Sequence, residues 1–232
     1  MKIIIVGATG FVGKEVVVQS IENSRISSII VVTRRCIGKS LSQNPKVQVI
    51  LHEDFHAYPA DLLEQLLGAQ GCVWCLGGKV EDFPDLETAK KVGVDFTLAA
   101  LRERDMSKFA TGTEIPLRLL QCQWGRVGSG QETLGILRYP KIEARQFINA
   151  KTKGVAERRL LDIAEDSRDV FQAIVLRPGG VVPDGSVLLG KIASLMTPVV
   201  PLSQLAKALV ESCINPPSEK VIENREILQL GS

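Results

Sequence analysis

Lys2-Ile3-Ile4-Ile5-Val6-Gly7-Ala8-Thr9-Gly10-Phe11-Val12-Gly13 begins as an apolar run and breaks into glycines at every third position. Ile3 to Val6 reads as a strand buried on both faces, and the pattern from Lys14 to Ser24 reads as a helix. Strand, Gly-rich turn and helix in this order make a cradle for phosphate. Gly7 allows the tight turn, Gly10 a close backbone approach to a pyrophosphate, and Gly13 close packing of helix on sheet. The N–H groups that open a helix have no partner within it and face an anion. The stretch therefore predicts a dinucleotide site formed by Gly7, Thr9, Gly10, Phe11, Val12 and Gly13. No Gly-Lys-Ser/Thr follows, which argues against an ATP or GTP phosphate loop.

Working outward, Ser28 to Thr33 is a second apolar strand that completes a βαβ unit, and it delivers Thr33-Arg34-Arg35. Sites that choose NAD usually carry an acidic residue here for the ribose hydroxyls. A guanidinium beside that ribose instead holds a 2′-phosphate, so Arg34 and Arg35 point to NADP(H). Lys46 to Leu51 reads as a third strand, followed by Asp54 and Phe55, which are expected beside the adenine, carboxylate to its amine and ring to its edge. His52 and His56 read as a surface turn, because Pro59 and a helix starting at Asp61 separate them from a shared helical turn.

Asp61 to Leu67 is a short helix and Gly71 to Leu76 a fourth strand, after which Leu76, Gly77 and Gly78 form a backbone platform beside the cofactor. Pro84 to Arg104 reads as one long helix, Leu117 to Cys122 as a fifth strand, Ile142 to Glu165 as a helix and Phe171 to Leu176 as a sixth strand. Val181 to Thr197 is apolar and Gly-interrupted, part of a substrate wall. Ser203 is expected to cap a last clear helix ending at Cys213, stopped by Asn215-Pro216-Pro217. The expected fold is α/β: a single Rossmann-like domain over 1–232, with a doubly wound, mainly parallel sheet and a short C-terminal substrate-side extension.

Composition narrows the function classes. The 232 residues carry 45% hydrophobic and 23% charged residues with a formal net charge of +2, ordinary for a soluble domain and too weakly basic for a nucleic-acid partner. A strand starting at Lys2 leaves no room for a targeting segment, and no apolar run reaches about 18 residues, so a cytoplasmic location and no membrane are expected. The five cysteines do not suit a disulfide framework. Cys72-Val73-Trp74-Cys75 has redox-motif spacing but lies inside an apolar strand run, where core packing is expected. No metal site is expected.

Four segments in this order carry a specific resemblance: Gly7 to Gly13; Cys75-Leu76-Gly77-Gly78 with Val94-Asp95-Phe96 downstream; Lys153-Gly154-Val155-Ala156-Glu157; and Leu176-Arg177-Pro178-Gly179 with the tail Val221 to Gly231. Over essentially its whole length the chain resembles the atypical short-chain dehydrogenase/reductase superfamily. Within it, the likeness is to small NADPH-binding proteins related to the human Tat-interacting protein of about 30 kDa and their fungal relatives. The resemblance implies a Tyr-x-x-x-Lys pair and a Ser at the end of the fifth strand, acting on carbonyl/alcohol pairs. In such a site a phenol exchanges a proton with the substrate oxygen while the ammonium lowers its pKa and holds the nicotinamide ribose.

This chain departs from that pattern. Lys153 falls at the Lys position but Asn149 at the Tyr position; sliding the register to Lys151 puts Phe147 there. Neither restores an ionisable hydroxyl. Cys122 and Gln123 fall where strand-end hydroxyls are expected. Lys153 keeps the ribose-holding role, Gln123 a donor role toward a carbonyl, and Cys122 is a nucleophile only if its thiol is activated. Tyr139, on the loop before the helix, is the candidate relocated proton donor. Three functions suit these residues: an NADP(H)-dependent oxidoreductase with a non-standard proton donor, acting on a small or polycyclic metabolite; a redox-neutral cyclase or isomerase of specialised metabolism; and a non-catalytic NADP(H)-responsive regulator. A small-molecule substrate, and a homodimer or a protein partner, are the associations to expect.

Overall fold

Apolar strands covered on both faces have to lie side by side and run parallel, and they do. The computed structural model describes residues 1–78, 82–102, 117–122, 154–167, 171–185 and 199–232. Its strands are β1 (Lys2–Val6), β2 (Ser28–Thr33), β3 (Val47–Leu51), β4 (Gly71–Trp74), β5 (Leu117–Cys122), β6 (Phe171–Arg177), β7 (Gly180–Val182), β8 (Val199–Pro201) and β9 (Val221–Glu223). The central sheet has the order β3-β2-β1-β4-β5-β6-β9, every pairing parallel, while β7 and β8 pair with each other, also parallel, in a separate two-stranded sheet. The strand order reverses between β1 and β4, the place where open α/β sheets bind ligands. The architecture is the expected α/β, doubly wound Rossmann-like one, with extra C-terminal strands and helix.

Alternation along each strand feeds two cores. Ile3, Ile5, Val31, Leu120 and Ile174 face α1 (Phe11–Glu22) and the helices α7 (Leu202–Ile214) and α8 (Asn224–Leu230). Ile4, Val6, Val32, Trp74 and Leu119 face the other way, toward α3 (Ala60–Leu66), the pair α4 (Leu86–Lys90) and α5 (Phe96–Arg102), and the helix α6 over 154–166. The short α2 (Lys39–Ser42) lies between β2 and β3. Each such Ile, Val or Leu side chain contributes about 1.5–3 kcal/mol when fully buried. In α1, Val12, Val16, Val17 and Ser20 form the buried stripe. The Ser20 hydroxyl is satisfied by the Val16 carbonyl at 2.6 Å.

Three local expectations are corrected. The run read as one helix from Pro84 is interrupted by a π-turn over Lys91–Asp95. Val92 and Val94 are both buried within this turn. Ser203 does not cap α7. The helix begins at Leu202 after Pro201, and Asp184 caps it from outside, accepting from the Ser203 N–H at 3.1 Å and its hydroxyl at 2.6 Å. Finally, α7 is not the last helix, since β9 leads into α8, opened by a reciprocal Glu223–Glu226 capping box. The expected helix start at Ile142 and most of the wall from Val181 to Thr197 lie outside the described residues. No helix among those described is long and apolar enough to cross a membrane.

Candidate functional site

The turn after β1 is built as its glycines require. Gly7 leaves the strand with φ +85°, and the Gly10 N–H closes back on the Gly7 carbonyl at 3.0 Å. The Lys14 N–H then bonds Gly10 O at 3.0 Å and starts α1. A Cβ on Gly7 would stand 2.6 Å from the Cys75 carbonyl oxygen, and one on Gly13 only 2.2 Å from the Gly7 oxygen. The turn is thus pressed onto itself and onto the chain leaving β4. Gly10 is looser: its added Cβ would meet only Gly7 O, at 3.3 Å. Gly10 is the N-cap of α1 and no side chain caps it, which leaves the opening N–H groups of the helix, with their partial positive charge, at the β1/β4 reversal. Thr9 and Phe11 are exposed there and Val12 is buried. Leu76, Gly77 and Gly78 follow β4, Gly77 with φ +141°.

Arg34 and Arg35 are exposed at the end of β2. Thr33 shapes their turn, its hydroxyl donating to the Arg35 carbonyl at 3.0 Å and accepting from the Arg35 N–H at 3.3 Å. Asp54 is exposed past β3, with one carboxylate oxygen accepting from the His56 N–H at 3.0 Å. Phe55 is a correction. Its ring is 1% exposed and packs against Trp74 and Phe96, so it fills the core instead of offering an edge to adenine; the turn at Asp54 directs it inward. His52 and His56 meet different aromatics, Tyr58 and Phe55 for the first and Phe96 for the second. No group of three potential metal ligands occurs among the described residues.

Of the Cys72–Cys75 pair, Cys72 is buried in the core and Cys75 is half-buried against it. Burial, with a smaller contribution from Cys213, pushes the Cys72 thiol far up, and burial raises Cys213 to about 12. Neither thiol is activated toward nucleophilic attack, which needs a lowered pKa.

Cys122 ends β5 as expected, paired in register with Leu176. Gln123, Tyr139, Asn149 and Lys153 lie outside the described residues. α6 begins at 154 and turns Ala156, Leu160 and Ala164 into the core. Beside them sits a group whose residues entered the sequence reading only as part of the resemblance, without a role. Glu157, 4% exposed, makes a two-point ion pair with Arg177 at the end of β6, and Arg177 reaches Glu223 at 2.8 Å as well. The Asn224 side chain accepts from the Gly179 N–H at 2.8 Å. The tail therefore pins the loop leaving β6, and the signal for it was the pairing of Arg177 with acidic residues distant in sequence. Gln121, 4% exposed on β5, was likewise missed.

Solved structures place this architecture. The chain superposes over 98% of its length on the PbgP3 protein of Burkholderia pseudomallei (82% of that chain, TM-score 0.68, 12% identity). It matches a short-chain dehydrogenase/reductase of Saccharomyces cerevisiae over 97% of its own length and 96% of the other (TM-score 0.67, 12% identity). The chain shares the Rossmann-like fold of both. A UDP-glucuronic acid 4-epimerase of Bacillus cereus, solved with UDP-glucuronic acid and NAD, shares this fold at 16% identity and TM-score 0.66, over 96% of this chain and 77% of that one. No protein-family model matches. In sequence, the chain is 36% identical over 77 residues to leucinostatins biosynthesis cluster protein T of Purpureocillium lilacinum, covering 33% of this chain and 28% of that protein.

Proposed function

We propose that the chain binds NADP(H) at the β1–α1 turn and works in the cytoplasm as an oxidoreductase on a small or polycyclic carbonyl/alcohol metabolite. The observation that carries this is the uncapped start of α1 at the β1/β4 reversal, held in place by Gly7 pressed onto the chain leaving β4 and Gly13 pressed onto the turn itself. Such a cradle suits a pyrophosphate, and the exposed Arg34 and Arg35 suit a 2′-phosphate. Asp54 is left to meet the adenine amine. The bound dinucleotide supplies or accepts a hydride. Lys153 holds the nicotinamide ribose, Gln123 donates to the substrate oxygen, and Tyr139 or a water exchanges the proton there, since Asn149 cannot. The match to a biosynthesis-cluster protein supports a role in specialised metabolism.

A redox-neutral isomerase or dehydratase is the second reading. Asn149 at the Tyr position favours it, as does the shared fold with NAD-bound structures of an epimerase and of a dTDP-glucose 4,6-dehydratase from Bacillus anthracis. Anaerobic turnover of NADPH-loaded protein with candidate metabolites separates the two: falling absorbance at 340 nm with a two-hydrogen mass gain supports the oxidoreductase, and substrate consumption at constant absorbance supports the isomerase. Replacing Tyr139 with Phe should slow the reaction by about 10²-fold or more.

Cofactor choice has its own test. Loss of a charge-assisted contact costs about 1.5–3 kcal/mol, so Arg34→Ala is expected to weaken NADPH roughly 10- to 100-fold while leaving NADH nearly unchanged. Titration of both nucleotides reads this directly; equal weakening of the two would remove the 2′-phosphate role.

A further inference from the structure

Between the sheet and α5, beneath the β1–α1 turn, lies a cavity of about 30 Å³. Its walls are almost wholly apolar, with Ile4, Val32, Leu117 and Ala100 among them. Two buried polar side chains line it too, Trp74 from β4 and Thr97 from α5. Trp74 is 3% and Thr97 1% exposed, and neither the indole N–H nor the hydroxyl has a hydrogen-bond partner among the described residues. Buried N–H and O–H groups are seldom left so. Thr97 lies two residues beyond the π-turn over Lys91–Asp95, just after Phe96. Because that turn inserts a residue into the helix, it rotates everything after it by about 100° relative to an uninterrupted α-helix. That rotation sets a polar residue toward the sheet.

We infer that the cavity holds one ordered water, accepting from Trp74 Nε1 and donating to Thr97 Oγ1. The volume suits it: a water occupies about 10–15 Å³ of such a space, whereas dry cavities that take benzene are nearer 150 Å³. Apolar guests of that size do not fit, and an apolar guest leaves both polar groups unmet. The bridge ties α5 to β4 immediately before the chain that seats Gly7, so it supports the nucleotide turn from below without touching a ligand. The inference does not depend on the function proposed above.

The test uses the full chain. In water-selective NMR, Trp74 Hε1, assigned by its loss in Trp74→Phe, should show a cross-peak to a long-lived water that persists in Thr97→Ser and vanishes in Thr97→Val. A crystal structure of the unmodified chain should show a water within hydrogen-bonding distance of both atoms, which keeps the test open if Thr97→Val fails to fold. A dry cavity that fills with xenon overturns the inference. So does a crystal structure in which Trp74 Nε1 bonds to Gln121 Oε1, its register neighbour on β5, or a cross-peak unchanged in Thr97→Val.

Discussion

Gly7→Ala is expected to cost about 2–5 kcal/mol of stability, the sum of a left-handed backbone on a residue with a Cβ and of overpacking against fixed neighbours. Both terms are on the molecule: φ is +85°, and the added Cβ would come within 2.6 Å of Cys75 O and 2.9 Å of Leu76 N. These are backbone atoms at the end of a central strand, which cannot swing aside as a side chain would. Against a typical total of about 5–15 kcal/mol, urea denaturation should show a large drop in midpoint. Gly10→Ala makes the informative contrast. Its backbone, φ −80° and ψ 169°, suits any residue, and the single contact at 3.3 Å needs only a small shift. It should fold within about 1 kcal/mol of the parent, yet weaken NADPH tenfold or more if Gly10 is where the pyrophosphate approaches. A Gly10→Ala protein with full affinity would contradict the phosphate cradle while leaving the fold argument intact.

Arg177→Met should be comparably damaging for a different reason. Its partner Glu157 has a side chain 5% exposed, and Arg177 itself is only 29% exposed. Removing one member of a buried pair strands the other, at a cost of about 3–5 kcal/mol. Glu223 sits at the other end of the network with its side chain 59% exposed, so Glu223→Gln should change stability by no more than about 1 kcal/mol. Replacing Arg177 and Glu157 together by apolar residues of similar size should recover much of the loss, because no buried charge then remains. If Arg177→Met unfolds within about 1 kcal/mol of the parent, the pair is not buried in solution and the loop after β6 is held by Asn224 alone.

How much of this could be read beforehand varied with how local the cause was. β2 and β5 were legible to the residue, β2 because a buried parallel strand is an apolar run and β5 from its leucines, although Arg118 and Gln121 interrupt them. The glycine turn was legible because its geometry depends on neighbours within a few positions. Phe55 was misread: it was expected at the edge of the adenine, but the aromatic partners that draw it inward, Trp74 and Phe96, come from other elements. Asp184 caps a helix that begins 18 residues later, at Leu202, and no local signal reports that. α8 escaped because Glu223 stands at its cap in place of Ser, Thr, Asp or Asn. Among the proposed site residues, the glycines and the two arginines occupy the carboxyl edge as local reading placed them, while Gln121 and Glu157 acquire meaning only through register and distant charge.

The contact of Gly7 with the Cys75 carbonyl also orders events in time. The motif lies within the first 13 residues, but the surface that completes it emerges from the ribosome only after β4, whose Gly71 pairs with Ile3. Until then, β1 has a partner on one side only. Such non-local parallel pairing is slow to form, so a nucleotide cannot template the early chain. A nucleotide bound once the sheet has closed would act from then on as a clamp against unfolding, its strength following its concentration.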